Sequence, residues 1–343
     1  MSGNQSLGGF QDAALYGTER VPQRSYGAAL YRAACADPRI VCLGADLTQP
    51  TETHLMRDKL PERFFSLGIQ EANMIGVAAG MARCGDLPFV HSFCVFVTRR
   101  VYDQVAMQVA YPRANVKIVG FIPGLTTPLG VSHQAIDDVA LMRSLPNMVI
   151  LEPSGSEQIQ AAVEVAAAHA GPVYLRLPLA PKAADVSKPL AELKIGEGQI
   201  LAEGKDVAIL ASGTLVEQAL RARALLSKQR VSATIANIHT LKPLDGALVA
   251  RLAATHRAVI TAENHSVIGG LGSAVAEHLA LGSIRTRFAM VGVQDIFAEG
   301  GSTGYLMKKY GLDAEHIAAR AIDLLRRPPS RKLRSTSTTG GRG

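Results

Sequence analysis

A chain of 343 residues, 48% of them hydrophobic and 19% charged, is long enough and apolar enough to bury two sizeable cores. Its formal net charge of +7 would suit a nucleic-acid partner, but six of these charges lie at 326–343, where there is no acidic residue, and about +1 remains on the rest. We therefore expect no nucleic-acid partner, and no membrane partner either, because no apolar run reaches the roughly 18 residues of a membrane span.

The two ends of the chain differ in composition from its middle. Residues 1–20 lack a basic-then-apolar signal pattern and are expected to form a flexible arm. Residues 327–343 are rich in Pro, Ser, Thr, Gly and Arg, which predicts a disordered basic tail. Four cysteines without CxxC spacing predict buried free thiols and a reducing, cytoplasmic location; they are Cys35, Cys42, Cys84 and Cys94.

Apolar strands and helices alternate along the first half of the chain. The pattern predicts a helix at 26–36 and then a continuous apolar strand at 40–45, of the kind found in doubly covered parallel sheets. Further strands are predicted at 64–69, 88–93, 116–121, 148–151 and 173–177. The helices between them are predicted at 71–84, 97–110, 134–144 and 157–169. This alternation predicts a parallel-sheet α/β domain over residues 21–180.

A second, smaller α/β domain is predicted over residues 194–326, after a linker at 181–193. Its strands are predicted at 207–210, 232–238, 258–261 and 285–291. Its helices are predicted at 215–226, 246–255, 272–281 and 314–325. The glycines at 269–272 do not have GxGxxG spacing and are weak evidence for nucleotide binding.

The junction of a strand with a helix at residues 64–82 places one carboxylate in apolar surroundings. Gly76 and Gly80 leave one side of that helix without side chains, so another backbone could approach closely. Glu71 stands in the first turn. It could oppose the helix dipole, or it could exchange a proton with a bound heterocycle. The residues alone leave both interpretations open.

Polar residues also follow or end several of the predicted strands. Ligands of parallel sheets bind at the carboxyl ends of the strands. Arg176 is a charged residue in an apolar strand, so we expect it at the end of that strand with a partner. His133 is predicted to open the helix at 134–144. The residues expected at this edge are Asp46, Glu71, His91, Ser92, His133 and Arg176.

Four stretches resemble the pyrimidine-binding domain of thiamine-diphosphate enzymes, and specifically the transketolases. They are FFSLGIQEANMIGVAAGMA at 64–82, HSFCVF at 91–96, GVSHQ at 130–134 and LPNM at 145–148. The likeness extends over roughly residues 20–325. It implies the fold of that domain, followed by the smaller α/β C-terminal domain of transketolases.

The resemblance also implies roles for individual residues. As catalytic residues, Glu71 would protonate the aminopyrimidine ring of thiamine diphosphate, and His133 would face the ketose donor. Phe96 would stack on that ring, and Arg176 would hold a substrate phosphate. The implied cofactor-binding residues are Asp46, Leu47, Glu71, Phe93 and Phe96, and the implied substrate residues are His91, Leu129, His133 and Arg176.

One part of the transketolase pattern is missing. Transketolases hold the diphosphate through a metal ion on a Gly-Asp-Gly segment, and this sequence has none. The chain therefore resembles the C-terminal subunit of a split, two-chain transketolase. The N-terminal, diphosphate-binding subunit would be its partner, would hold the Mg2+ or Ca2+ ion, and would complete an α2β2 heterotetramer.

The residues that would read the acceptor substrate also depart from the transketolase pattern. Leu129 stands where transketolases carry an aspartate, and Pro50 replaces a serine. Phe121 or Ile122 replaces a histidine. These apolar replacements predict transfer of a two-carbon ketol unit to a specialised acceptor: a less hydroxylated aldehyde, an unusual sugar or an acyl group on a carrier protein.

Two other functions remain open at this point. A 2-oxoacid dehydrogenase E1 β-type subunit would use the same cofactor, but SHQ at 132–134, LPNM at 145–148 and the segment 238–245 favour a transketolase. A catalytically silent scaffolding subunit would keep the fold. The intact Glu71 argues against it, whereas the altered acceptor residues argue for it.

Overall fold

The computed structural model describes residues 25–179 and 193–326. The predicted arm at 1–20, nearly all of the predicted linker at 181–193 and the predicted tail at 327–343 lie outside these residues. The described residues form a seven-stranded and a five-stranded sheet. This confirms the predicted α/β fold class with two parallel-sheet halves.

The first sheet contains six parallel strands in the spatial order β5-β6-β4-β3-β1-β2, with β10 from the second half at its edge. Runs of apolar residues form the inner strands, and β1 and β3 are buried along their whole length. The strands are β1 (Ile40–Gly44), β2 (Phe64–Ser66), β3 (Leu87–Phe93), β4 (Lys117–Phe121), β5 (Val149–Leu151) and β6 (Val173–Leu177), and β10 is Thr240–Lys242.

Helices between these strands cover the sheet, because strands buried on both faces need a layer on each. The first helix packs against the seventh, and the third packs against β3 and the segment that follows it. The helices are α1 (Ser25–Ala36), α2 (His54–Lys59), α3 (Glu71–Arg83), α4 (Cys94–Val97), α5 (Tyr102–Gln104), α6 (Asp138–Ser144) and α7 (Gly155–Ala168). Two 3-10 turns, Pro61–Arg63 and Arg99–Val101, and a π-helical segment, Val105–Ala110, complete this half.

The second sheet has the order β12-β11-β8-β9-β7, with β7 antiparallel at one edge and the other strands parallel. Helices α8 and α12 pack against each other beside it. The strands are β7 (Gln199–Ala202), β8 (Val207–Ala211), β9 (Ala233–Asn237), β11 (Ala258–Ser266) and β12 (Arg287–Val293). The helices are α8 (Leu215–Lys228), α9 (Gly246–Thr255), α10 (Leu271–Leu281), α11 (Thr303–Lys309) and α12 (Ala314–Arg326).

The second half also contributes a strand to the first sheet, which the sequence pattern did not predict. β10 pairs antiparallel with β5. Leu241 is buried, and the Lys242 ammonium donates to the carbonyl oxygens of Arg143 and Leu145. A strand of three residues with polar ends has too weak an alternation to be recognised. The two halves are therefore joined by sheet pairing.

Two predicted helices were wrong in their bounds. The helix predicted at 134–144 begins at Asp138, because the carbonyl oxygens of Ala135 and Ile136 accept from the backbone N–H groups of Gly124 and Ser266. His133 therefore lies in the loop before α6. The helix predicted at 97–110 is interrupted at Thr98, whose hydroxyl donates to the carbonyl oxygen of Cys94 at 2.6 Å.

Two further observations concern the surroundings of the chain. Within the described residues, none of the helices combines the length and apolar character that a membrane-spanning helix requires. The four cysteines are free, as predicted, but only Cys42 and Cys94 are buried. Cys35 and Cys84 are exposed, so the prediction of four buried thiols was wrong for these two.

Arg176 lies inside β6 and binds groups from both halves of the chain. Its guanidinium donates to the carboxylates of Asp138 and Glu152, to the carbonyl oxygen of Ala135, and to that of Asn264 in β11 at 2.9 Å. Arginine and both carboxylates are buried. Burial, the largest single effect, would raise the pKa of Asp138, but the charge and hydrogen bonds of Arg176, together with His265 and Tyr174, outweigh burial and lower that pKa. We call Arg176, Asp138 and Glu152 the buried charge network.

This position corrects the assignment of Arg176 to a substrate phosphate. The arginine has the partner that its charge required, but it is fully buried rather than open at the end of the strand. Its nitrogen atoms are bound to protein oxygens. Buried in this way, the guanidinium is not accessible to a substrate anion.

We expect Arg176→Met to lower the free energy of unfolding by about 3–5 kcal/mol, because two buried carboxylates lose their counter-charge. Arg221→Met is the matched control, since Arg221 pairs with Glu217 on the exposed face of α8 and such pairs contribute less than about 1 kcal/mol. Urea denaturation followed by circular dichroism measures both variants. Equal losses of stability would contradict a structural role of the buried charge network.

Candidate active site

Glu71 is buried in the first turn of α3, beside the end of β3. Gly68, with φ of +70°, makes the tight turn that precedes it. The Glu71 side chain is 1% exposed. Its Oε1 accepts from the Ser92 hydroxyl at 3.2 Å, and its Oε2 accepts from the Arg100 guanidinium at 2.8 Å. The carboxylate thus faces side chains from β3 and from the turn after it, beyond any effect on the helix dipole.

The flat aromatic ring of Phe96 lies beside Glu71. The Phe93 ring is 3% exposed and lies 6.0 Å from the Phe96 ring, which is half-buried. The guanidinium carbon of Arg100 lies 3.9 Å from the centroid of Phe96, the geometry of a cation–π contact. Phe93 therefore serves mainly as core, whereas Phe96 offers a ring face at the site.

His133 lies against both phenylalanines. Its ring is 5.3 Å from Phe96 and 6.0 Å from Phe93, edge to face in both cases. The pKa of His133 is lowered by burial and by the positive charge of Arg100. Nδ1 is 3.0 Å from the Ser132 hydroxyl. A neutral imidazole held this way can exchange a proton with a hydroxyl group.

Asp46 and Leu47 follow β1 at the same edge of the sheet. The residue pairs of β1 with β2 and with β3 place Gly44 opposite Ser66 and His91, so the ends of the three strands are adjacent. Asp46 is exposed and has φ of +58°, and Leu47 is half-buried. The two residues therefore lie at the predicted edge of the sheet, and their role at a cofactor stays a prediction.

His91 lies opposite the last residue of β1, but its side chain is not open at this edge. It is fully buried, and its Nε2 is 2.6 Å from the Tyr26 hydroxyl. Nδ1 is 3.0 Å from the carbonyl oxygen of Leu43, which can only accept, so Nδ1 carries the proton. Burial lowers the pKa of His91 to about 4. Both nitrogens are bound within the protein, which corrects its assignment as a substrate residue.

The residues predicted to face the acceptor differ in exposure, and their role stays a prediction. Leu129 is 43% exposed in the loop before His133. This loop contacts the loop after β12, where the Gln134 amide donates to the carbonyl oxygen of Glu299 at 2.9 Å. Phe121, Ile122 and Pro50 are buried. Both contacting loops expose further apolar side chains, namely Val131, Ile296 and Phe297.

These residues fit the aminopyrimidine end of thiamine diphosphate. A buried carboxylate stands beside an aromatic face, and a planar cation, Arg100, already binds both. Across the described part of the chain there is no group of three or more His, Cys, Asp or Glu side chains that could hold a metal ion. Arg100 was not among the site residues predicted from the sequence. Arg100 lies in the helix predicted at 97–110 and follows Phe96 by four residues, a spacing that would bring the two side chains together if that helix began one residue earlier.

Comparison with known proteins gives two family matches. The transketolase pyrimidine-binding domain matches residues 23–180, and the transketolase C-terminal domain matches residues 196–317. The chain is 46% identical to the 6-deoxy-6-sulfo-D-fructose transketolase subunit SqwH of Clostridium sp. (strain MSTE9), over 85% of this chain and 90% of that protein.

Two further relatives are similar over nearly their whole length. The putative transketolase C-terminal section of Methanocaldococcus jannaschii is 37% identical, over 91% of this chain and 99% of that protein. A solved structure of a split-gene transketolase, described as an inactive β4 tetramer, is 42% identical with a TM-score of 0.81. It covers 88% of this chain and 97% of that one.

We expect His91→Gln to weaken the loss of stability in acid. Because the folded-state pKa of His91 lies near 4, below the 6.5 of a free histidine, the unfolded chain binds a proton first as pH falls. Protonation of this histidine in the unfolded chain therefore lowers the free energy of unfolding progressively between about pH 6.5 and 4. The decrease from pH 7 to pH 5 is about 2 kcal/mol. Glutamine cannot charge, so urea midpoints at the two pH values should differ less in the variant. Identical pH dependence in both proteins would contradict a buried, neutral His91.

Proposed function

Since this chain belongs to the transketolase family, we propose that it is the C-terminal subunit of a two-chain, thiamine-diphosphate-dependent transferase of a two-carbon ketol unit. The observation that carries this proposal is Glu71, a buried carboxylate beside the half-buried ring of Phe96. An acid and an aromatic face together suit a flat heterocycle that must be protonated. When bound, thiamine diphosphate supplies the chemistry that breaks and forms the carbon–carbon bond.

Glu71 holds and moves a proton in this proposal. Its side chain is screened from water, so its carboxyl can share a proton with a ring nitrogen at short range. Ser92 fixes the other oxygen of the carboxyl group. Phe96 orients the ring by stacking and does not compete for its polar edge. Asp46 and Leu47 would border the ring from β1.

His133 acts on the sugar in this proposal. Its lowered pKa keeps the imidazole neutral at pH 7, so it can accept a proton from a hydroxyl of the donor ketose and return it. Its contact with Phe96 supports this role, because Phe96 would stack on the cofactor ring. Leu129 lies four residues earlier in the same loop and would border the acceptor.

A partner subunit would complete the site. The relative from Methanocaldococcus jannaschii is described as a C-terminal section, and the solved neighbour forms a β4 tetramer that is inactive. In this chain α3 exposes Ala72, Asn73 and Gly80, and a Cβ atom at Gly80 would meet no atom within 4 Å. We infer that this face packs in an α2β2 heterotetramer. The partner would hold the diphosphate and its Mg2+ or Ca2+ ion, in the cytoplasm.

The chain alone would then be silent, in agreement with the inactive tetramer of its neighbour. The isolated chain would then resemble the scaffolding alternative. Glu71 and His133 would still act in the enzyme assembled with its partner. The match to both transketolase domains favours ketol transfer over the 2-oxoacid dehydrogenase alternative.

The substrates in this proposal depart from ordinary sugar phosphates. Leu129 cannot bind a sugar hydroxyl, and Arg176 is not available to a phosphate. The similar SqwH subunit is named for a sulfonated ketose, 6-deoxy-6-sulfo-D-fructose. We propose a ketose donor of this unusual kind and an acceptor with few hydroxyl groups.

Glu71→Gln should abolish activity in the enzyme assembled with its partner, thiamine diphosphate and Mg2+. An amide cannot exchange the required proton, so kcat for ketol transfer should fall by several factors of ten, each about 1.4 kcal/mol of barrier. Glu157→Gln is the matched control, because Glu157 is an exposed carboxylate in the first turn of α7. A role in the helix dipole alone would affect both variants similarly.

Calorimetry on the isolated chain completes this test. Without the partner we expect no thiamine diphosphate binding at micromolar concentration in the presence of Mg2+. Near-normal turnover of Glu71→Gln, or tight binding by the isolated chain, would contradict the proposed function.

The assembled enzyme should prefer short, weakly hydroxylated aldehydes to ribose 5-phosphate in direct competition. An unpartnered sugar hydroxyl against Leu129 costs about 1–3 kcal/mol, which corresponds to about 5- to 150-fold in kcat/KM. Leu129→Asp should move the preference towards ribose 5-phosphate, whereas Val131→Asp adds the same charge to an exposed neighbour as a control. A preference of the unmodified enzyme for ribose 5-phosphate would mean an ordinary pentose-phosphate transketolase.

A further inference from the structure

Arg100 binds the two side chains that the proposed function assigns to the cofactor ring. Its Nη1 donates to Glu71 Oε2 at 2.8 Å, and its guanidinium carbon lies 3.9 Å from the Phe96 centroid. One planar group therefore satisfies the acid and covers the aromatic face together. An aminopyrimidine is likewise planar and delocalised, and it would contact the same carboxylate and the same ring. Both groups cannot occupy this position at once.

We propose that Arg100 fills the place of the cofactor's pyrimidine ring in the unloaded subunit and is displaced when the cofactor binds. This inference rests on the proposed function of Glu71 and Phe96. Arg100 thus has two opposite effects: it stabilises the empty site, and it competes with the cofactor for that site.

In the cofactor-free protein the Glu71 carboxylate needs a nearby cation, because its side chain cannot reach water. The Glu71 side chain is 1% exposed, and apart from Arg100 its described partner is the Ser92 hydroxyl at 3.2 Å. A buried carboxylate without a counter-charge is strongly unfavourable. Arg100 supplies that charge until a ring nitrogen takes its place.

Arg100 is also free to leave. Its side chain is 44% exposed, so water can solvate the displaced guanidinium. It stands in the 3-10 turn Arg99–Val101, between the interruption at Thr98 and the π-helical segment Val105–Ala110. Such irregular helical segments occur frequently at functional sites. The adjacent Arg99 instead pairs with Asp137 at 2.8 Å, away from Glu71.

The consequence for affinity is quantitative. The apparent Kd of a ligand equals its intrinsic Kd divided by the fraction of molecules whose site is open, so binding weakens as that fraction falls. If Arg100 covers the site in about nine molecules of ten, it weakens cofactor binding about tenfold. Removing its charge removes this competition.

The test uses the enzyme assembled with its partner, in three forms: unmodified, Arg100→Met, and the matched control Arg99→Met. Methionine keeps an apolar stem and removes the charge and the donors. Calorimetry with thiamine diphosphate and Mg2+ gives Kd, and thermal unfolding without cofactor gives Tm. We expect Arg100→Met to lower Kd about three- to tenfold and to lower Tm of the cofactor-free enzyme. Arg99→Met should leave Kd unchanged.

The outcomes separate this inference from the proposed function. An unchanged or higher Kd for Arg100→Met, with the unmodified enzyme binding normally, would overturn the displacement of Arg100 and leave the proposed function standing. A lower Kd for both variants would show a general charge effect and would also overturn the inference. No binding by the unmodified assembled enzyme would overturn both the proposed function and the role of Arg100.

Discussion

One buried cation holds the two halves of the chain in a fixed relation. Arg176 in β6 reaches Glu152 beyond β5, Asp138 at the start of α6, and the backbone of Asn264 in β11. Such a group contributes little net stability against an apolar core, but removing one member leaves buried charges unpaired. The arrangement is therefore tolerated only when every partner is in place, and it fixes the two sheets in one relative position.

The candidate site depends on that relation. Arg176 binds the carbonyl oxygen of Ala135, two residues after His133, and Asp138 three residues further on. The backbone of Ser266 in β11 donates to Ile136 in the same segment. The loop that carries His133 is thus anchored from both sheets. The contact of His133 with Phe96 follows from this anchoring rather than from the loop's own sequence.

The sequence was informative where one physical signal dominated. Alternating apolar runs predicted the α/β halves. An isolated carboxylate in an apolar stretch made Glu71 a candidate, and its catalytic role, implied by the resemblance to transketolases, stays a prediction. The predicted substrate roles of His91 and Arg176 were wrong, because both faces of a doubly covered sheet are buried. The side chain of a polar residue in such a strand can be accessible at the edge of the sheet or bound to other buried groups. Only its contacts in the folded protein distinguish these two cases. Arg100 was overlooked because an arginine in a predicted helix is ordinarily a solvated residue.

Two arginine–carboxylate pairs in this chain show how exposure decides between structure and function. Arg176 and Asp138 are both fully buried. Separating them would leave two buried charges unpaired, so this pair stays formed in the folded protein. In the Arg100–Glu71 pair the carboxylate is buried but the arginine is 44% exposed. That pair can open by moving the arginine into water, at a free-energy cost that a ligand can offset. If Glu71 receives a ring nitrogen, as we propose, its partner in the cofactor-free protein has to be exchangeable in this way.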